Sequence, residues 1–260
     1  AANARDPRFD SYEEETTYGY ATHRVKHQRY PQPIPATTPV LRMNRRVEPK
    51  NQSQEFYLDA LRTQRVVFGS GSAGSGKTLL AVGVALEKLL TNEVSKIVFT
   101  RPIVEAGENL GFLPGTLEEK VLPYMMPMLD AIEHFVGPTA AKELIASERI
   151  VFKPLAYLRG NTLGGTGRGQ GVVAIFDETQ NSTPKQMQLF LTRLGYNCFM
   201  FLTGDPVQSD LKEDRHFQGE TGLEWAVRKF RGGTCNHVEV VEFSNNDVVR
   251  HMCALYRRNP

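Results

Sequence analysis

Two hydrophobic periods alternate along most of the chain. Short apolar runs at 66–68, 96–100, 149–152, 172–176, 198–202 and 237–243 read as buried strands. Between them lie stretches with helical spacing. The first, 51–62, sets Phe56, Tyr57, Ala60 and Leu61 on one side. A long apolar helix at 79–90 stops at Thr91-Asn92, and helical material at 117–135 is expected to break at Pro123 and Pro127. Further helices are predicted at 139–146, 185–194, 221–230 and 246–256. Strands alternating with helices over some two hundred residues imply α/β architecture, a mostly parallel sheet with helices on both faces. No internal repeat interrupts this pattern.

Residues 1–48 break the pattern. Segment 1–50 holds six of the fifteen prolines, including PQPIPATTP at 31–39, and shows no sustained helical or strand period. The expected organisation is a flexible N-terminal arm over 1–48 and one domain over 49–260. The arm's Tyr, Arg and His residues between Tyr18 and Tyr30 suit either a solvated tail or contact with RNA, DNA or a neighbouring subunit.

Charge adds little to this picture. Net charge is +2; residues 1–50 carry nine basic and six acidic side chains, and the rest carry 22 and 23. A near-neutral body does not by itself announce a polyanionic partner. No apolar run is long enough to span a membrane, and the first residues show no secretory signal. Cys198, Cys235 and Cys253 are few and far apart, without metal-ligand spacing, as expected for reduced thiols in the cytoplasm.

The chemistry begins at Gly71-Ser72-Ala73-Gly74-Ser75-Gly76-Lys77-Thr78, which matches GxxxxGK[ST] between a strand and a helix. Glycines let backbone N–H groups curl around phosphate oxygens, and the helix N-terminus adds positive potential. Lys77 is expected to reach the β- and γ-phosphates and Thr78 to ligate Mg²⁺. A glycine-rich turn with a surface lysine would need none of this context.

The run 172–176 ends in Asp177-Glu178. Carboxyl ends of parallel strands share one edge, so both acids are expected beside the phosphate loop. Asp177 would hold the Mg²⁺ shell and Glu178 would polarise the attacking water. Gln180, two residues on, is placed to sense the water or the γ-phosphate. The apolar run before Thr203-Gly204-Asp205-Pro206-Val207-Gln208 brings Thr203, Asp205 and Gln208 to the same crevice, although Gly-Asp-Pro is also ordinary turn chemistry.

Walker A, Asp-Glu-x-Gln and Gly-Asp-x-x-Gln, in this order, resemble superfamily 1 helicase motifs. The fuller resemblance is to the PhoH family of single-domain ATPases. It rests on GSAGSGKT, TRPIVEAGENLGFLPG at 100–115, DETQN at 177–181, TGDPVQSDL at 203–211 and the closing Asp247-Val248-Val249-Arg250-His251. It covers about 50–258 and implies a RecA-like P-loop core, ATP and Mg²⁺ as cofactors, a bacterial or phage-borne cytoplasmic protein and an oligomer. It also suggests Gln54 as an adenine-reading amide, or else a glutamine on a helix surface, Arg101 as a nucleic-acid phosphate contact, or else the partner of a nearby acid, and Arg250 as a stabiliser of γ-phosphate charge, or else a surface or salt-bridged arginine. Arg159, Arg168 and Arg193 are rivals for Arg250's role.

Superfamily 1 helicases bind ATP between two such cores, and one is evident here. A second protomer is therefore expected to complete the site, most simply in a ring such as a hexamer. The polar glycine-rich stretch 159–171, with Thr162, Arg168 and Gln170, suits a strand-binding loop or a plain surface loop. The leading reading is ATP hydrolysis acting on single-stranded nucleic acid, RNA over DNA. The alternatives are an ATP-driven switch acting on a protein partner and, less compatible with the phosphate loop, a metal-dependent nuclease.

Overall fold

A computed structural model describes residues 15–18, 21–24, 41–102, 117–158, 160, 162–165, 171–213, 217–233 and 235–249. The chain divides into two compact units, Ala1–Val40 and Leu41–Pro260. In the first, β1 (Glu15–Tyr18) and β2 (Ala21–Arg24) pair antiparallel, with Tyr18 opposite Ala21. Periodicity predicts no strand there, because four-residue strands are too short for alternation to stand out. The first unit also ends at residue 40 rather than 48. Val47 is buried, Leu41 and Met43 pack on the core, and the Asn44 amides donate to the carbonyls of Phe135 and Val136.

The second unit is built on one six-stranded sheet. Its strands are β3 (Val66–Gly71), β4 (Lys96–Thr100), β5 (Ile150–Phe152), β6 (Val172–Phe176), β7 (Cys198–Gly204) and β8 (Val238–Phe243). Their order is β5-β4-β6-β7-β3-β8, and every neighbouring pair is parallel. Successive strand side chains point to opposite faces. Val67, Ile97, Phe99, Val173, Ile175 and Phe201 therefore enter one core, while Phe68, Val98, Ala174, Phe176, Met200 and Leu202 enter the other. Burial on both faces explains why these strands read as continuous apolar runs.

The first core is closed by α1 (Gln52–Thr63), α2 (Lys77–Leu90), α3 (Leu117–Val136) and α4 (Pro138–Ala146). The second is closed by α5 (Pro184–Leu191), α7 (Gly222–Phe230) and a 3₁₀ turn at Leu155–Leu158. A short α6 (Asp210–Glu213) follows the end of β7. Each fully buried Leu, Phe or Val contributes roughly 1.5–3 kcal/mol, so the two cores dominate the stability of this unit.

Three helical expectations change. Phe56 is 64% exposed, and the buried side of α1 is Tyr57, Leu58, Ala60 and Leu61 with Gln54. The helix α3 runs unbroken through Pro123 and Pro127. Each proline removes one N–H from the i→i−4 ladder. Burial of Met125, Met128, Ile132 and Phe135 in the core shared with α2 outweighs that loss. Finally, the closing helix expected from 246 does not start there. A 3₁₀ turn spans Asn245–Asp247, and the Val249 N–H donates to Gly74 O at 3.1 Å instead of extending a helix; residues from 250 lie outside the described ones. Among the described residues no helix is long and apolar enough to cross a membrane.

Candidate active site

β3 runs straight into the loop 71–76, and α2 starts at Lys77 behind Gly76, whose φ of 87° is the left-handed conformation glycine adopts without strain. The Lys77 ammonium donates to Gly71 O at 2.7 Å, Ser72 O at 2.8 Å and Ser75 Oγ at 3.1 Å, which places the cation at the centre of the loop. Beside it opens a crevice of about 540 Å³. Its walls include Ala73, Gly74, Lys77, Thr78, Asp177 and Asp205, with Glu178 and Gln208 also on the lining.

The sheet order explains the grouping. β6 and β3 are not neighbours; β7 lies between them. Thr78, Asp177 and Thr203 therefore come together from three adjacent elements. Asp177 Oδ1 accepts from Thr78 Oγ1 at 2.8 Å and also from Thr203 Oγ1. Thr203 is fully buried, so it stands behind Asp177 and orients it rather than lining the crevice as expected. The Thr78 and Asp177 oxygens suit a hard cation such as Mg²⁺, which keeps several waters and needs few protein ligands. Among the described residues no cluster of three His, Cys, Asp or Glu side chains offers another metal site.

Glu178 has φ 53° and ψ 41°, an uncommon backbone conformation for a residue other than glycine. Burial raises its pKa first and the neighbouring Asp177 charge adds to this; the Arg101 guanidinium and a hydrogen bond from Gln180 oppose it. A carboxylate with raised basicity suits proton acceptance from water.

Gln180 is buried, and its amide is engaged at both ends. Nε2 donates to Glu178 Oε2, and Oε1 accepts from the Asp205 N–H at 3.0 Å. Asp205 in turn accepts from the N–H of Ala73 in the phosphate loop at 2.9 Å and from that of Val207 at 3.0 Å. A continuous path thus runs Glu178–Gln180–Asp205–Ala73. Neighbouring bonds reinforce it: Thr179 Oγ1 to Thr203 O, Ser209 Oγ to Gln180 O, and a reciprocal pair between Asn181 and Asp210. Gly204 is required by this packing, since a Cβ there would lie 2.7 Å from both Gln180 Oε1 and Thr179 Oγ1.

Other expected residues fall differently. Gln54 is 2% exposed; its Nε2 donates to Ser75 O at 2.8 Å and its Oε1 accepts from the Lys50 N–H at 2.7 Å. That makes it a strut from α1 to the phosphate loop and leaves it off the crevice wall, against the base-reading role. Arg101 stands 3.6 Å from Glu178 Oε1. Arg193 lies just before the amino end of β7, opposite the carboxyl edge that carries the crevice, which removes it as an in-chain rival for γ-phosphate contact. Arg159, Arg168, Gln170 and Arg250 lie outside the described residues. Sequence reasoning missed the contacts of Phe243 and Asn245 with the phosphate loop: Ser72 Oγ donates to Asn245 Oδ1, and a Cβ at Gly71 would meet Phe243 O at 2.1 Å. The close approach at Gly71 was not readable from a glycine already explained by the loop motif.

A phosphate loop, an acid-bearing strand one place removed and an all-parallel covered sheet define a P-loop core of the ATPase type. The model of the family described as PhoH-like protein matches residues 46–256, and the chain belongs to the PhoH family. It is 43% identical over 202 residues to the PhoH-like protein of Bacillus subtilis (strain 168), covering 78% of this chain and 60% of that protein. Against the PhoH-like protein of Mycobacterium leprae (strain TN) it is 42% identical over 215 residues, covering 82% and 57%. Against Protein PhoH of Escherichia coli (strain K12) the figures are 36% over 203 residues, covering 77% and 54%. The chain thus spans little more than half the length of the curated relatives it matches. Among solved structures, the Sulfolobus solfataricus SWI2/SNF2 ATPase core in complex with dsDNA aligns with a TM-score of 0.36 and 18% identity, over 59% of this chain and 30% of that one. That likeness is too distant to say what this chain binds.

Proposed function

We propose that the chain hydrolyses ATP with Mg²⁺ and couples hydrolysis to work on single-stranded nucleic acid, RNA rather than DNA. The observation that carries the proposal is the contact of Thr78 with Asp177 at the mouth of the phosphate loop, with Glu178 next in the chain. Loop N–H groups and Lys77 bind the phosphates. Thr78 and Asp177 would hold the metal, which would supply positive charge against the phosphate oxygens. Glu178 accepts the proton of the attacking water. Gln180 and Asp205 carry the position of that base to the loop, so nucleotide state and the surrounding structure move together.

The nucleic-acid part is supported by the order of the motifs and by Arg101 at the end of β4, next to the catalytic edge. The near-neutral charge of residues 51–260 favours a second reading, a nucleotide-driven switch acting on a protein. Cytoplasmic location in a bacterial or phage setting belongs to the same proposal, as does a homo-oligomeric ring in which a neighbouring protomer faces the crevice.

ATP turnover of purified protein, alone and with poly(U) RNA or single-stranded DNA, tests these readings beside Glu178→Gln. Loss of turnover in the variant with RNA stimulation of the unaltered chain is expected. Turnover that depends on Glu178 and ignores both strands would move the partner to protein.

A further inference from the structure

The pairing of Arg101 with Glu178 is set by the backbone. Parallel register places Thr100 opposite Phe176, and the Asp177 N–H donates to Thr100 O at 3.1 Å. The next residue on β4's side is Arg101, and the next acid past Asp177 is Glu178. Their charged groups meet at 3.6 Å, within ion-pair range but longer than a hydrogen bond. The other carboxylate oxygen, Oε2, accepts from Gln180. Both oxygens of the proposed base are thus turned to protein groups. One of these, Gln180, is buried and tied to Asp205, while the Arg101 and Glu178 side chains are 22% and 36% exposed. The two contacts therefore differ in kind. Gln180 is fixed within the structure, and the Arg101 contact opens to solvent where an anion can compete for the guanidinium.

We infer that Arg101 is a positioning residue that restrains Glu178, and that a phosphodiester strand binding Arg101 releases the carboxylate toward the attacking water. This rests on the nucleic-acid reading above and gives it a physical coupling: the same guanidinium answers to the base or to the strand. Arginine suits the task because its planar fork binds phosphate in two-pronged fashion and its charge is permanent. In this arrangement the ligand does not touch the nucleotide; it changes which anion holds Arg101.

The test compares the unaltered chain with Arg101→Ala and Arg101→Lys. The readouts are ATP turnover with and without poly(U) RNA, RNA affinity by fluorescence anisotropy, and melting temperature. Restraint predicts that Arg101→Ala turns over ATP about three- to ten-fold faster than the unaltered chain without RNA, and that RNA then adds little. Arg101→Lys retains the charge and should restore most of the repression. Basal turnover of Arg101→Ala that is unchanged or lower, in protein that melts normally, overturns the inference. If Arg101→Ala melts early, the Lys variant decides, with partial release of basal turnover required. Faster basal turnover in Arg101→Ala, with no RNA response in the unaltered chain, would uphold the restraint while refuting the nucleic-acid reading.

Discussion

The carboxylate of Asp205 accepts a hydrogen bond from the backbone N–H of Ala73 at 2.9 Å, so the segment after β7 directly holds the phosphate loop. The same carboxylate caps the Val207 N–H. Asp205→Ala leaves both donors without their acceptor, one of them at the loop. A loss of about 1–3 kcal/mol in urea denaturation is expected, together with weaker binding of a non-hydrolysable ATP analogue by calorimetry. Unchanged analogue affinity would show that the loop keeps its shape without Asp205.

Glu178→Gln preserves shape and removes the proposed proton acceptor. Turnover should fall by about 10²–10⁴-fold with analogue affinity retained, whereas Lys77→Ala should lose nucleotide binding itself. Separating binding by calorimetry from turnover by phosphate release distinguishes the two roles.

Gln54→Ala distinguishes a strut from a base reader. The amide bonds of Gln54 run to Ser75 O and the Lys50 N–H. Its removal should therefore lower stability by about 1–3 kcal/mol and weaken ATP and GTP analogues by the same factor. A selective loss of ATP binding would restore the adenine reading.

Gly204→Ala puts a methyl group 2.7 Å from Gln180 and Thr179, in a fully packed corner. The turn bearing Glu178 must shift to admit it. Destabilisation of about 1–3 kcal/mol is expected, and turnover should fall further than the loss of folded protein explains, measured at a temperature where the variant is folded.

Cys198 reports core integrity. Burial pushes its thiol up from the ordinary 9.0 to about 11, while Cys235 is exposed. Below pH 9 the thiol is neutral in folded and unfolded chains alike and adds no pH dependence. Between pH 9 and 11 the unfolded chain loses the proton and the folded chain keeps it. Stability should then fall with rising pH by up to about 1.4 kcal/mol per pH unit, and Cys198→Ala should lose this slope between pH 9 and 10, below the range where the buried Tyr57 phenol, its pKa also raised by burial, adds its own. At pH 8 iodoacetamide should label the Cys235 peptide and spare Cys198 in native protein, read by mass spectrometry.

The phosphate loop, the acid pair and the α/β class are legible in the order of residues alone. Those features are local: a glycine spacing, a strand buried on both faces and a strand's carboxyl end are each written within a dozen residues. What each polar residue near the loop touches depends on how the strands and helices pack. Thr203 moved from the crevice wall to the back of Asp177 because β7 lies between β6 and β3. Gln54 became a strut, Gln180 a bridge, and Arg101 a neighbour of Glu178, each through a partner far away in the chain. The prolines of α3 show the same division: propensity marks a break, and burial in the core shared with α2 overrides it. Strand order and register set these distances, and they arise from which apolar faces pack together, an energy summed over the whole sheet that no single stretch of sequence displays.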